Sequence, residues 1–179
     1  MSKEEKNLQS DSDLIEMKVT GLTIDPFTNM PIIIIKDLEE KNAIPIWIGL
    51  IEASAIATEL EQIQLSRPMT HDLMKNILDD VKIRVTKIVI CDLRDNTFFA
   101  NLHLESNGKE SIVDSRPSDA IALALRTSAK IFVAPQVVQK SRRIDLAKES
   151  TEEGEKIKKE KWAEILENLS PEDFGKYKM

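Results

Sequence analysis

The chain has one cysteine, Cys91, and two histidines, His71 and His103, in 179 residues. A single thiol excludes an intramolecular disulfide framework and suits a reducing compartment. Two imidazoles and one thiol match no familiar zinc-site spacing. With five glycines, the chain shows no phosphate loop, no dinucleotide-binding glycine pattern and no serine nucleophile elbow. Aromatic residues make up only 4%, so stacking platforms for single-stranded nucleic acid are few. The longest apolar stretches, Ile32–Ile35 and Ile44–Ile51, fall far short of the roughly 20 residues that cross a bilayer. Met1–Asp13 is polar and mixed in charge, unlike a secretory signal. These absences together predict a cytoplasmic protein with no membrane segment.

An excess of positive charge is also lacking. The formal net charge is −6, so no global basic field draws in polyanions. Basic residues gather only locally, at Lys82, Arg84 and Lys87 and at Lys140, Arg142 and Arg143. Such clusters are solvated faces, or else a patch whose hold on nucleic acid weakens as salt rises.

What is present is 41% hydrophobic content, enough for the core of one domain. An extended region opens at Val19 and breaks at the turn-rich Asp25-Pro26-Phe27-Thr28-Asn29. Ile32–Lys36 and Ile44–Ile48 read as two strands of a hairpin around the polar run Asp37–Asn42. Ala53, Ile56, Ala57, Leu60 and Ile63 then recur at helical spacing. Ser66-Arg67-Pro68-Met69 interrupts that helix, and Thr70 reads as the N-cap of a second helix carrying Leu73, Met74, Ile77, Leu78 and Val81 on one side. Ile83–Ile90 is β-branched, Arg94-Asp95-Asn96 is a turn, and Phe98, Ala100, Leu102 and Leu104 alternate with polar residues as a half-buried strand should. Asn107-Gly108 signals a tight hairpin into a strand near Ile112-Val113. A helix from Pro117 to about Ser128, a strand at Ile131–Val133 and a helical segment after Pro135 complete an α+β domain spanning residues 14–148.

The two halves echo one another as hairpin-plus-helix units, with Ala55-Ile56-Ala57 matched by Ala120-Ile121-Ala122. That is the pattern of an internal duplication, or of two amphipathic units alike by coincidence. Residues 1–13 read as a disordered lead-in. Residues 149–179 read as a charged linker and a short C-terminal helical extension, in which Trp162, Ile165, Leu166 and Leu169 form a stripe suited to docking.

The chemistry concentrates at two helix starts. Pro117 suits the first helical position, and Asp119 in the first turn complements the helix dipole. Arg116 does not, because a cation at a helix N-terminus opposes that dipole. Either a nearby carboxylate, Asp114 or Asp119, or a bound phosphate must offset it. Arg67-Pro68-Met69-Thr70-His71-Asp72 has the same grammar and adds an imidazole. Were the two junctions to meet, they would offer a proton carrier, carboxylates for a divalent ion and cations for a phosphate. Taken alone, Arg116 and Asp119 also read as a clasp that holds a corner, and His71 as a plain first-turn residue. His103 reads as a sheet-surface histidine, Cys91 as a small buried hydrophobe, and Asp92 as part of a turn.

Asp25-Pro-Phe-Thr-Asn29, Pro45-Ile-Trp-Ile-Gly49 followed by Glu52-Ala53, Arg67-Pro-Met-Thr-His-Asp72 and Asp114-Ser-Arg-Pro-Ser-Asp-Ala-Ile-Ala-Leu-Ala124 occur in that order. Together they resemble the bifunctional nuclease domain family over roughly Met17 to Val138. The resemblance implies a compact α+β fold and a DNase and RNase activity seen in some members, and the tail near Trp162–Phe174 resembles a bacterial extension of this domain. Within the matching positions, Asp114 and Asp119 are expected as base or metal-binding carboxylates and His71 as proton carrier. Arg116 and Arg67 are expected on the phosphate, with Asp72, Glu52 and Ser118 as further substrate-binding positions. Mg²⁺ or Mn²⁺ would be the cofactor, DNA or RNA the partner, and a homo-oligomer the assembly. The competing expectation is a non-catalytic regulatory or assembly module that binds an anionic ligand or a protein partner. It draws on the acidic net charge, the thin supply of histidine and the helix-start logic of the motif residues.

Overall fold

The computed structural model describes residues 13–145, with side chains to Ser141. The expected lead-in up to residue 12 and the C-terminal extension lie outside the described residues. The elements run β1 (Ile15–Ile24), β2 (Pro31–Asp37), β3 (Ala43–Trp47), α1 (Leu50–Leu60), α2 (Thr70–Asp80), β4 (Arg84–Arg94), β5 (Thr97–Ser106), β6 (Lys109–Ser115), α3 (Pro117–Thr127), β7 (Lys130–Val133) and α4 (Pro135–Asp145). This is the expected α+β class, with four helices on one mixed sheet ordered β3-β2-β1-β7-β4-β5-β6. No described helix is long and apolar enough to cross a membrane.

Each half proves to be a three-stranded antiparallel meander followed by a helix, one strand more than the expected hairpin. The repetition is one of order. Strand lengths are 10, 7 and 5 residues in the first meander and 11, 10 and 7 in the second. A helix follows α1, whereas a strand follows α3. That strand, β7, inserts between the meanders, antiparallel to β1 and parallel to β4, and welds them into one sheet.

Alternation decides which face is buried. Ile33 and Ile35 on β2 lie opposite Ile46 and Ile44 on β3, and all four are essentially sequestered from solvent. Ile88 and Ile90 pair in register with Ile131 and Val133 and continue the same layer. Full burial of each such side chain contributes about 1.5–3 kcal/mol. Helix α4 touches both β3 and β4, with β2, β1 and β7 between them in the sheet, so the sheet curls around its core. Asp95 and Asn96, and then Asn107 and Gly108, take left-handed backbone angles at the two turns of the second meander, as two-residue hairpin loops require.

Three local expectations change. Helix α1 stops at Leu60, where Gln62 turns left-handed (φ 53°), so Ile63 falls outside it. Thr70 is the first helical residue and Met69 the N-cap, because the Asp72 carboxylate accepts the Met69 N–H at 2.9 Å and closes the turn one residue earlier. The apolar side of α2 is largely uncovered. Leu78 alone of its stripe packs against the core, and Leu73, Met74, Ile77 and Val81 stay 39–53% exposed.

One buried carboxylate pins the β2–β3 end of the sheet. Asp25 accepts the Trp47 indole N–H at 2.8 Å and the Phe27 N–H at 2.9 Å. Those bonds, Trp47 first, hold its carboxyl at about 2, down from 3.8. A depressed folded-state value means the stabilisation is complete above 3.8 and disappears as pH falls through about 2. Asp25→Ala should therefore lower the thermal midpoint at neutral pH and flatten the loss of stability between pH 3.8 and about 2. Parallel melts of parent and variant across that window check it, and superimposable acid slopes would refute it.

Candidate functional site

Helices α1 and α3 pack through small residues. Ala53, Ile56 and Ala57 on one and Ala120, Ile121 and Ala124 on the other are all buried. Alanines let the two axes approach closely, and the helices start at the same end of the sheet. The Arg116 Nη1–H donates to Glu52 Oε1 at 2.6 Å, joining the N-cap of α3 to the first turn of α1. The same guanidinium donates to Asp119 from Nε at 2.7 Å and from Nη2 at 3.2 Å. Asp119, with Glu52, is what raises the Arg116 pKa above its ordinary value. The misplaced cation is therefore offset by two carboxylates, each in the first turn of its own helix.

The second junction does meet the first. His71 Nε2 lies 3.1 Å from Asp119 Oδ1, bringing the start of α2 onto the start of α3. About two turns further along α3, Arg126 Nε–H donates to Asp72 Oδ1 at 2.6 Å, and its Nη1–H donates to the Ala122 carbonyl at 3.0 Å. Partial burial works to raise the Asp72 carboxyl. The Arg126 bond and the Met69 N–H outweigh it and leave the group below its usual value. Arg126 is the member that sequence reasoning missed; its signal was a lone cation directly after the apolar run Ala120–Leu125, still within the helix.

Asp114 and Arg67 stay apart from this cluster. Asp114 lies opposite Asn101 across the β5–β6 ladder, one residue out of step with the buried Ala100 and Leu102, so it points from the face away from α3. There, after burial itself, the charges of Asp92 and Asp114 help to raise the Cys91 thiol. Asp114 and Asp119 do not fit as joint ligands of one Mg²⁺ or Mn²⁺ ion. Among the described residues, no three of His, Cys, Asp and Glu gather as a metal-binding group. Arg67 is exposed and lines a separate hollow of about 260 Å³ with Thr58, Pro68 and Asp72. Three residues of the local basic patches are engaged as well. Arg84 pairs with Glu105, Lys87 lies over the Phe132 ring, and Lys140 pairs with Asp92. That last bond, with the Arg94 bond, holds the Asp92 carboxyl at about 2.

A cleft of about 730 Å³ opens where the helix starts converge. Gly49, Leu50, Ile51 and Glu52 form one wall, Arg116, Pro117 and Ser118 another, and Asn96, Thr97 and Phe98 from the β4–β5 turn a third; Met30 and Ile46–Ile48 complete it. Neither helix has a side-chain cap, so first-turn N–H groups remain for a ligand. Ser118 is 6% exposed and lines the cleft, and its hydroxyl bonds to no other described residue. Of the five guanidinium N–H groups of Arg116, three are engaged and two remain. Glu52 uses Oε1 for Arg116, leaving Oε2 for a ligand or water.

Asp72 is the weak point of the α2–α3 contact. The Arg126 side chain is 3% exposed, so removing its partner strands a buried cation. Breaking such a pair costs about 3 kcal/mol or more. Asp72→Ala should destabilise the domain by about 3 kcal/mol, whereas Asp72→Ala combined with Arg126→Met should recover much of that loss. Urea unfolding of the three proteins checks it; simple additivity would show that the pair is not coupled.

Two comparisons bear on kinship. The chain is 34% identical over 163 residues to an uncharacterized protein of Mycobacterium tuberculosis, seen in two strains, and the match spans 89% of this chain and 97% of the relative. Residues 33–145, which run from β2 to the end of α4 and include both helix starts and the cleft between them, match the bifunctional nuclease domain, and the protein belongs to that family.

Proposed function

We propose that the protein is a nuclease that hydrolyses phosphodiester bonds of DNA and RNA in the cytoplasm, with its chemistry in the cleft between the starts of α1 and α3. The observation that carries this reading is the convergence on one cleft of an exposed, partly committed guanidinium, a hydroxyl and a carboxylate oxygen, the last two without a partner among the described residues. Arg116 and the first-turn N–H groups would hold non-bridging phosphate oxygens, and the Ser118 hydroxyl would add a donor. Glu52 Oε2 would take the proton of the attacking water as its oxygen bonds to phosphorus, and the ester P–O bond would break with the leaving oxygen taking a proton from solvent. Asp119 and His71 act through Arg116, as positioning residues that fix the angle of its fork.

The alternative, a regulatory module that binds an anionic ligand without turnover, draws on a specific feature of the same site. Glu52 and Asp119 together balance the Arg116 cation and the two helix ends, worth about half a charge each. The cleft therefore holds anions through directed donors and not through net positive charge.

The assay uses plasmid DNA and single-stranded RNA, with Mg²⁺, with Mn²⁺ and with chelator. Glu52→Gln should lower turnover at least 100-fold while tightening phosphate binding, because it removes both the base and the like charge. Arg116→Gln should weaken binding and turnover together. Unchanged cleavage in both variants would remove this cleft from the mechanism. Phosphate binding with no cleavage under any condition would favour the regulatory module.

The reading includes self-association, supported by the exposed Leu73, Met74, Ile77 and Val81 on α2. Light scattering should give a molar mass above that of one chain, and Ile77→Glu should return it to one; a single-chain mass for the parent would count against this.

A further inference from the structure

The cleft offers more than a phosphate needs. Trp47 and Phe98, from distant parts of the chain, line the same cavity as Arg116 and Ser118. Both aromatic side chains are half-buried, and Met30 beside them is 42% exposed. The Trp47 ring is preset, because its N–H is committed to Asp25 at 2.8 Å and Asp25 is itself held by the Phe27 and Thr28 amides. Phe98 lies one residue beyond the tight Asp95-Asn96 turn, opposite Leu93 in the β4–β5 ladder. Two aromatic rings lining one cavity with a hydroxyl and a guanidinium are the combination that recognises a flat ring attached to a phosphate.

Resting on the nuclease reading of this cleft, we infer that it takes one unstacked nucleotide of a single strand, with the base against Trp47 and Phe98 and the phosphate against Arg116 and Ser118. Size supports the assignment. A cavity of about 730 Å³ falls in the range of about 300–1,000 Å³ that encloses a small ligand. A duplex keeps its bases stacked and paired, so none of them reaches an aromatic wall without being drawn out, and that extraction costs free energy. Asn96 and Thr97 at the rim offer polar groups to a base edge. An amide and a hydroxyl both donate and accept, so this rim admits more than one base. Stacking is likewise tolerant of base identity, because every base has a π-face. The cleft therefore selects strandedness and leaves sequence and sugar open.

The test is calorimetric titration of the full chain with adenosine 5′-monophosphate, ribose 5-phosphate and inorganic phosphate, then with a single-stranded oligonucleotide and its blunt duplex. Adenosine 5′-monophosphate should bind roughly 5- to 150-fold more tightly than ribose 5-phosphate, the span that one base stack provides. The single strand should bind more tightly than the duplex at equal salt. Phe98→Leu, which keeps apolar volume and loses the ring, should bring the nucleotide down toward ribose 5-phosphate, while Arg116→Gln should weaken all three small ligands in step. Equal affinities for the first two ligands, or a duplex bound as tightly as the single strand, would overturn the inference. The ligand series on the parent chain decides this without any variant. It also separates the two readings. Cleavage with the nucleotide bound no more tightly than ribose 5-phosphate leaves the nuclease and removes the stacking site, whereas tighter binding of the nucleotide without cleavage keeps the site and removes the nuclease.

Discussion

The close approach of α1 and α3 is the constraint on which the rest of the molecule depends. Alanines at 53, 57, 120 and 124 carry no side chain beyond Cβ, which suits close packing of the two helices, and Ile56 and Ile121 are fully buried with them. Because both start at the same end, two positive dipole ends are forced together. Glu52 and Asp119 in the first turns offset that cost, and Arg116 ties the two carboxylates into one unit. The clasp and the cleft are therefore two consequences of a single packing decision.

This explains why one set of residues supports both a structural and a functional account. A helix mouth needs a carboxylate for its own stability, and a phosphate needs donors at the same place. The bonds of Arg116 to Glu52 and Asp119 satisfy the fold, yet two guanidinium N–H groups, one carboxylate oxygen and the Ser118 hydroxyl of these cavity-lining residues make no bond among the described residues. Helix α2 supports the arrangement from the side. Its first turn holds Asp119 through His71 and secures the buried Arg126 through Asp72, while its own apolar side stays open.

Much of this was legible in the residues. Period-two runs such as Phe98–Leu104 and the Asn107-Gly108 turn mark the second meander, because alternation and left-handed turn residues are local properties. The oddity of Arg116 in a helix mouth was legible too, since a dipole and a charge conflict within three residues. Where boundaries failed, a nearby side chain had intervened. Asp72 capped Met69 and started α2 one residue early, and Gln62 took a left-handed conformation that ended α1. The exposure of the α2 stripe was invisible, because periodicity reports that a face is apolar and not whether anything covers it.

By itself the sequence determined the class of the fold, the order of its elements, the two helix starts to within a residue and the family, because each of these is written in short spacings. The tertiary structure decided which of those residues meet. It joined His71 to Asp119 and Arg126 to Asp72 across separations of 48 and 54 residues. It sent Asp114 to the other face of the sheet, since a one-residue step along a strand reverses a side chain. It also brought Trp47 and Phe98 to one cleft. Strand pairing and the curl of the sheet set those distances, and both depend on contacts between residues far apart in the chain.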